Sequence, residues 1–176
     1  MDLMAHALYG VTVCSRTGLA GGHKGAGCRW FRDRTVWVAA FFGVLPDIVS
    51  MGVPFAAWCL AGAPGNFFRD IHPEDLEIYR YVHSLAVALV TSGILWTACR
   101  PLFAPSLAWS VHVVSDALTH ASGKFQTPLL YPFSSWGIEG VRWWRHPEVV
   151  LAYWLLIPIT WYTLHTWRRR VSASHR

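Results

Sequence analysis

The chain has 176 residues and a net charge of +5, which is enough length for one compact domain. Hydrophobic residues make up 53% of the chain, and charged residues make up only 14%, whereas about 25% of the residues in soluble domains are charged. Together with the eleven Trp residues, this composition favours a membrane protein over a soluble protein with an aromatic core. The basic residues lie beside apolar segments, so we expect them to set topology and contact anionic lipid, and we expect no nucleic-acid partner.

In chain order, apolar segments alternate with polar loops. The predicted elements are a short N-terminal helix (about 2–14), a basic Gly-rich loop (15–34), a long apolar stretch (35–62) broken at Pro46, an acidic loop (63–81), a helix (82–99), a tight Arg100-Pro101 turn, a helix (102–121), a loop (122–147), a helix (148–167) and a basic tail. Because proline lacks a backbone donor, Pro46 is predicted to end or kink its helix. The start of the chain does not resemble a signal peptide, and we expect Met1 onward to remain in the mature protein.

Three of these segments are long and apolar enough to cross a membrane. Segments 82–99 and 149–167 have no formal charge and 35–62 has only Asp47, while a crossing helix needs about 20 apolar residues. Segment 101–121 is more polar, but we predict that it also spans, because a polar helix face in a membrane usually points into the bundle. The predicted fold is an all-α, polytopic transmembrane helical bundle of about four spanning helices plus the short N-terminal helix. Residues 1–170 form a single membrane-embedded domain, and 171–176 form a basic polar tail.

The distribution of Lys and Arg predicts the orientation. If loop 15–34, the Arg100 turn and the C-terminal tail are cytoplasmic, that side has ten of the 15 basic residues and the other side has five. The chain is then a multi-pass protein of the cell (inner) membrane with a cytoplasmic C-terminus. Under this topology, four separate segments bring His and Asp side chains toward the extracytoplasmic face. They contain His6, Asp47, His83, and the group His112, Asp116 and His120.

The polar residues of helix 102–121 have the spacing of a metal site. His112 and Asp116 are four positions apart, which places both on one helix face. Imidazole nitrogen and carboxylate oxygen are ligands that zinc favours, although a plain His–Asp hydrogen bond inside a bundle would have the same spacing. Asp47 is costly to bury unless it is paired, protonated, metal-bound or part of a Pro-Asp turn at the interface. Together, His6, Asp47, His83, His112 and Asp116 favour a site for a divalent metal, with Zn²⁺ the expected ion.

These residues lie in stretches that resemble one known family. The stretches are the early His6, V-L-P-D-I at 44–48, V-H-S-L at 82–85, and H-V-V-S-D-A-L-T at 112–119 followed by Q-T-P-L-L-Y-P-F at 126–133. In this order and approximate spacing they resemble the YdjM-type membrane-bound metal-dependent hydrolases, a family distantly similar to zinc-dependent phospholipases C. The resemblance extends from position 6 to about 134, and the last motif is its most specific part. It implies metal ligands at His6, Asp47, His83, His112 and Asp116.

The resemblance also implies a reaction, with one departure in the ligand set. It implies hydrolysis of a phosphoester. If the protein is an enzyme, we expect metal-assisted hydrolysis of a phosphoester or lipid-like substrate that enters from the bilayer, with Asp47 or Asp116 as the general base and His120 orienting the leaving group. Many members of the family carry an extra His, in an H-R-G-x-T-H-S run, that residues 78–84 lack. Either fewer metal ions bind, or His72 or His120 substitutes for the missing ligand.

A second class of function is non-enzymatic. The same polar residues could bind a structural metal ion that stabilises the bundle, or they could bind a metal ion that the protein transports. A transporter should line a path through the bilayer with polar residues on successive turns, whereas the inner halves of the predicted helices are apolar. A partner-binding subunit is a third possibility, and the sequence predicts no particular oligomeric state.

Overall fold

The computed structural model describes residues 1–25 and 30–174, and every regular element in these ranges is helical. The α-helices of the described residues are α1 (Leu3–Cys14), α2 (Arg34–Asp47), α3 (Val53–Leu60), α4 (Phe67–Asp70), α5 (Pro73–Val82), α6 (Leu85–Ala98), α7 (Arg100–Thr119) and α8 (Pro147–Ser174). Short 3-10 helices cover Leu19–Gly25, Trp30–Arg32 and Trp143–Arg145. The predicted all-α class is confirmed for this part of the chain.

The long apolar stretch forms one almost continuous helix from α2 to α3. Pro46 lies inside α2 and does not end it; the irregular turn is a π turn at Ile48–Gly52, which begins two residues later. The Ser50 hydroxyl donates a hydrogen bond of 2.7 Å to the Pro46 carbonyl oxygen within this region. A π turn widens the helix by one residue and often occurs at functional sites. Here it directly follows Asp47.

Two predicted boundaries differ from the structure around His83. The stretch predicted as an acidic loop (63–81) is largely helical and forms α4 and α5. α5 begins with a proline followed by Glu74 and Asp75, and carboxylates are favourable in the first turn because they lie near the positive end of the helix dipole. The next helix starts at 85 and not at 82. The chain breaks at His83, and the Ser84 hydroxyl then caps α6 by accepting from the Val87 amide at 3.4 Å.

The last helix also extends further than predicted. α8 continues to Ser174, so residues 171–174 of the predicted basic tail are helical, while 175 and 176 lie outside the described residues. Arg168 is buried, and its guanidinium donates hydrogen bonds of 2.7–2.8 Å to the carbonyl oxygens of Thr17, Gly18 and Gly22. These bonds fix α8 to the loop that follows α1.

Glycines allow the central helices to pack closely. A Cβ added to Gly10 of α1 would lie 2.8 Å from the Ala39 carbonyl oxygen on α2 and 3.0 Å from Ala108 Cβ on α7. A Cβ added to Gly43 of α2 would lie 2.7 Å from the His6 carbonyl oxygen on α1. Such backbone approach through small residues is typical of helix packing in membranes. The centre of the fold is therefore the α1–α2–α7 contact, with α6 packed on α7 and α8 on α1.

Two helices of the described chain are long and apolar enough to cross a membrane, Arg34–Leu60 and Pro147–Ala173. A third candidate is the pair of α5 and α6, which are bent by 54° relative to each other. These helices are compatible with the predicted membrane localisation. The predicted count of four spans is not confirmed, because α7, which carries His112 and Asp116, is not among the candidates. Arg29 and Arg176, which contribute to the predicted charge asymmetry, lie outside the described residues.

Candidate metal centre

Four polar side chains from distant parts of the chain meet beside the central helices. Asp47 is the last residue of α2, His83 lies in the break between α5 and α6, and His112 and Asp116 lie one turn apart on α7. Each offers one ligand atom, and these four atoms lie within 4.8 Å of one another. His83, His112 and Asp116 are fully buried, whereas the Asp47 side chain is 25% exposed. We call these four residues the His/Asp cluster.

Five distances between ligand atoms of the His/Asp cluster are close to those of a tetrahedral metal site, and all four ligand atoms lie within 4.8 Å of one another. His112 Nε2 lies 3.2 Å from His83 Nε2 and 3.3 Å from Asp116 Oδ2, and His83 Nε2 lies 3.5 Å from Asp116 Oδ2. Asp47 Oδ1 lies 3.5 Å from His83 Nε2 and 3.7 Å from His112 Nε2. A tetrahedral zinc ion with bonds of about 2.0–2.2 Å requires its ligands to be roughly 3.3–3.6 Å apart. Octahedral magnesium would require neighbouring ligands roughly 2.9 Å apart, and it prefers oxygen.

The outer hydrogen bonds assign the tautomer of both imidazoles. His83 Nδ1 lies 3.1 Å from the Tyr79 carbonyl oxygen, and His112 Nδ1 lies 2.7 Å from the Gly43 carbonyl oxygen. A carbonyl oxygen only accepts, so each Nδ1 carries the hydrogen and donates it. In the neutral rings both Nε2 atoms are then bare acceptors, and they face each other and two carboxylate oxygens. Four acceptors with no donor among them repel one another unless a cation or an added proton lies between them.

The second oxygen of Asp116 faces a different set of groups. Asp116 Oδ1 lies 2.9 Å from His6 Nε2 and 3.4 Å from His120 Nδ1, and it accepts a hydrogen bond of 2.5 Å from the Met1 amino group. The His6 ring also stacks on the His112 ring at a centroid distance of 3.8 Å. His6, the fifth predicted ligand, is thus placed next to the His/Asp cluster and not within it. His120, predicted as a catalytic residue, lies on the same side of Asp116 as His6.

The His6 side chain is fully buried, and its two ring nitrogens have different surroundings. Its Nε2 lies 2.9 Å from Asp116 Oδ1, which is close enough for an ion pair. Its Nδ1 has no hydrogen-bond partner among the residues that the structure describes. Burying a polar nitrogen without a partner is unfavourable.

Neighbouring groups hold the imidazoles in place. The Tyr79 ring stacks on His83 at 3.9 Å, and the Tyr79 hydroxyl donates a hydrogen bond of 2.8 Å to the Phe125 carbonyl oxygen. The Ser84 hydroxyl donates to the Tyr131 carbonyl oxygen at 2.7 Å. These bonds join the α5–α6 break to the loop after α7. The His83 ring itself is held by the stacked Tyr79 ring and by its Nδ1 hydrogen bond to the Tyr79 carbonyl oxygen.

A cavity of about 520 Å³ opens onto the His/Asp cluster. Asp47 and Asp116 lie on its wall together with His120, which gives the cavity its polar side. Its apolar side is built by aromatic and thioether side chains, namely Met51, Phe68, Tyr79, Phe125, Trp143 and Trp144. A cavity of about 300–1,000 Å³ with a few convergent polar groups is typical of a small-molecule site.

Several residues that build this site were not predicted from the sequence, and one suggested ligand lies elsewhere. Tyr79 was placed in a loop, and Trp143 and Trp144 were not connected with the site because nothing in their spacing indicates it. His72, suggested as a substitute ligand, lies at the N-terminus of α5 and lines a different pocket. The role of the Gly43 carbonyl oxygen has no side-chain signal and becomes visible only in the fold.

Next to the site, Asp2 joins the start of α1 to α8. Burial raises the pKa of its carboxyl group, but hydrogen bonds from the Tyr153 hydroxyl at 2.7 Å, the Ala5 amide at 2.9 Å and the Trp154 indole at 3.2 Å lower it more. The pKa of Asp2 is therefore below its usual value of 3.8. The carboxylate is stabilised in its charged form, and α1, which carries His6, is held against α8.

Comparisons with known proteins do not assign the chain to a family. No family model, no curated protein and no solved structure matches it. Any function proposed for this chain therefore rests on the His/Asp cluster, on the cavity beside it and on the motifs of the sequence.

Proposed function

We propose that this protein is a membrane-bound, metal-dependent hydrolase that acts on a phosphoester or lipid-like substrate, with Zn²⁺ held by His83, His112 and Asp116 and with Asp47 beside it. One observation carries the proposal: two imidazole nitrogens and two carboxylate oxygens from distant parts of the chain converge within 4.8 Å of one another. The resemblance to YdjM-type hydrolases supports the same reaction class.

The residues of the site divide into different roles under this proposal. A bound zinc ion supplies a Lewis acid and lowers the pKa of a coordinated water toward neutrality. Asp116 is fully buried and has neighbours on both oxygens, so it serves as a ligand. Asp47 and Asp116 both line the cavity, but the Asp47 side chain is 25% exposed and that of Asp116 only 2%, so Asp47 is the better placed of the two carboxylates to accept a proton. His120, on the cavity wall, orients the leaving group.

The environment proposed for this site is the outer part of an inner-membrane bundle. We place the C-terminus in the cytoplasm and the His/Asp cluster on the extracytoplasmic side, following the excess of Lys and Arg in loop 15–34 and after residue 167. Helix α7 crosses as the fourth span, with α1, α2 and α6 around it to cover its polar face. A reporter fused after Arg176 tests this orientation, and an extracytoplasmic signal would overturn it.

A structural metal site is the main alternative, and the cavity argues against it. Structural zinc sites are closed by four protein ligands, whereas catalytic sites have three protein ligands and a position left open for water or substrate. With Asp47 as the proton acceptor, the three ligands are His83, His112 and Asp116, and Asp47 lines a cavity large enough for a small molecule. A purely structural ion predicts that chelation lowers thermal stability but that no turnover exists to be lost.

Elemental analysis of the detergent-purified protein tests the metal site directly. We expect the wild type to retain zinc in stoichiometric amount and His112→Ala and Asp116→Ala to lose it. His165→Ala, which removes an exposed imidazole of α8, is the matched control and should retain zinc. A protonated His83–His112 pair would explain the same geometry without a metal; in that case the wild type contains no stoichiometric zinc and the proposal fails.

Turnover is then tested with the zinc-loaded protein. A short-chain, chromogenic phosphodiester should be hydrolysed by the wild type and by His165→Ala, but not by Asp47→Asn if that carboxylate accepts the proton. Zinc content is measured for each preparation, because loss of the ion alone would also abolish hydrolysis. Zinc-loaded wild type that hydrolyses neither phosphoesters nor carboxylic esters would leave only the structural alternative.

A further inference from the structure

A second cavity continues from the first one along the outside of the bundle. It has a volume of about 350 Å³ and shares Asp47, Met51 and Phe68 with the cavity over the His/Asp cluster. Its remaining lining residues come from α1, the π turn, α3 and α4. We call this second cavity the π-turn groove. The two cavities therefore meet at Asp47, the most exposed member of the cluster.

The walls of the π-turn groove are almost entirely apolar. Apart from Asp47 at the junction, the groove is lined by Leu3, Ile48, Met51, Gly52, Phe55, Phe67 and Phe68. Phe67 is packed edge to face against Phe55 at 5.3 Å, which makes a stable aromatic wall. A sugar or a peptide would lose hydrogen bonds to water here without finding partners, whereas a hydrocarbon chain would lose none.

The groove opens on the surface that faces the membrane under the proposed topology. Leu3, Ile48, Phe55 and Phe68 are each between 42% and 62% exposed. These side chains sit on α1, the π turn, α3 and α4, and Ile48 and Phe55 belong to the candidate span Arg34–Leu60. A molecule in the bilayer can therefore reach the groove sideways, without passing through water.

We infer that the π-turn groove binds the hydrocarbon chain of an amphiphilic substrate whose polar end lies at the His/Asp cluster. The inference rests on the proposed function, since the polar end is placed by the metal. It rests equally on three features of the groove: continuity with the site at Asp47, apolar walls, and a lateral opening. The substrate class is thus a lipid that keeps its chain partly in the membrane during hydrolysis.

Gly52 offers a substitution that fills the groove with little steric cost. It lines the groove, and its φ of −64° and ψ of −45° are accessible to any residue. A Cβ added there would make ordinary contacts of 3.8 Å with the backbone oxygen of Asp47 and with Ile48. Gly52→Leu should therefore fold and hold zinc like the wild type while occupying the space of the chain. Gly93→Leu on the exposed face of α6, where a Cβ meets nothing within 4 Å, is the matched control.

Photo-crosslinking tests the groove independently of any activity. The probe is a diacyl phospholipid with a diazirine in one acyl chain, mixed with the full chain in detergent micelles. We expect crosslinks on the peptide that contains 48–55 above the level on the exposed face of α6, and we expect Gly52→Leu to remove the excess while Gly93→Leu keeps it. Equal crosslinking of Gly52→Leu and wild type would overturn the inference.

Chain-length dependence provides the second readout. For substrates of increasing acyl length, the affinity of the wild type should rise by up to about fourfold for each methylene group that the groove buries. Gly52→Leu should lose this increase, whereas Gly93→Leu should keep it. Hydrolysis with no difference in chain-length dependence would overturn the groove alone. Absence of both zinc and hydrolysis would overturn the proposed function, while crosslinking would still decide on the groove.

Discussion

Replacing Gly43 with alanine tests how the helix packing builds the metal site. The new Cβ would lie 2.7 Å from the His6 carbonyl oxygen, where an ordinary contact is at least 3.4 Å, so α1 and α2 must separate by about 0.7 Å. The opposing atom is backbone, so no side-chain rotation can relieve the contact. Sites that bind metal ions tolerate displacements of only about 0.5 Å.

The same residue supports the imidazole of His112, because the Gly43 carbonyl oxygen accepts the hydrogen bond from His112 Nδ1 at 2.7 Å. A shift of α2 should therefore move the Gly43 carbonyl oxygen away from the His112 ring. Loss of such a hydrogen bond to a metal ligand typically lowers metal affinity by about 10–100-fold. Overpacking of the helix contact should in addition cost about 1–3 kcal/mol in stability. Both effects arise although Gly43 contributes no side chain to the site.

Two measurements check this prediction in detergent. Competition with a chromogenic chelator gives the zinc affinity, and unfolding in a denaturing detergent gives the stability. Gly93→Ala is the control, because its new Cβ meets nothing within 4 Å; it should leave zinc affinity unchanged and raise stability by about 0.5–1 kcal/mol. A Gly43→Ala protein with the zinc affinity and stability of the wild type would refute the packing argument.

Three further predictions concern contacts that hold the bundle together. Asp2→Ala removes the N-cap of α1 and should lower the free energy of unfolding by about 1–2 kcal/mol at pH 7. Because the pKa of Asp2 is lowered in the folded state, this difference is present above pH 3.8 and should shrink as the pH falls below that value. Ser106→Ala breaks the buried 3.0 Å hydrogen bond to Ser92 and should cost about 0.5–1.5 kcal/mol, and adding Ser92→Ala should cost no more if the bond is the whole effect. Arg168→Ala removes three hydrogen bonds to carbonyl oxygens and should lower stability by about 2–3 kcal/mol, whereas exposed Arg169→Ala should change it by less than about 0.5 kcal/mol.

Two predicted boundaries were wrong for different physical reasons. The stretch around α5 is charged, so it was predicted as a loop, although Pro73, Glu74 and Asp75 are favourable residues for the first turn of a helix. Pro46 was expected to end or kink its helix, but the missing donor is tolerated inside α2 and the irregularity appears later as a π turn. At α5 the local residues of the first turn favour the helix, whereas at Pro46 the surrounding helices tolerate a residue that locally disfavours one.

The sequence by itself determined the helical class, the apolar segments and the single-face placement of His112 and Asp116, because each depends on residues that are close together along one helix. The meeting of Asp47 with His83 was decided only by the tertiary structure, since it depends on how α2 packs against the α5–α6 break. The same holds for the hydrogen bond from His112 to the Gly43 carbonyl oxygen, which exposes the bare nitrogen of the ring to the cluster. Spacing can place donors on one face of a helix, but only the approach of separate backbones can bring them within the few ångströms that a metal ion requires.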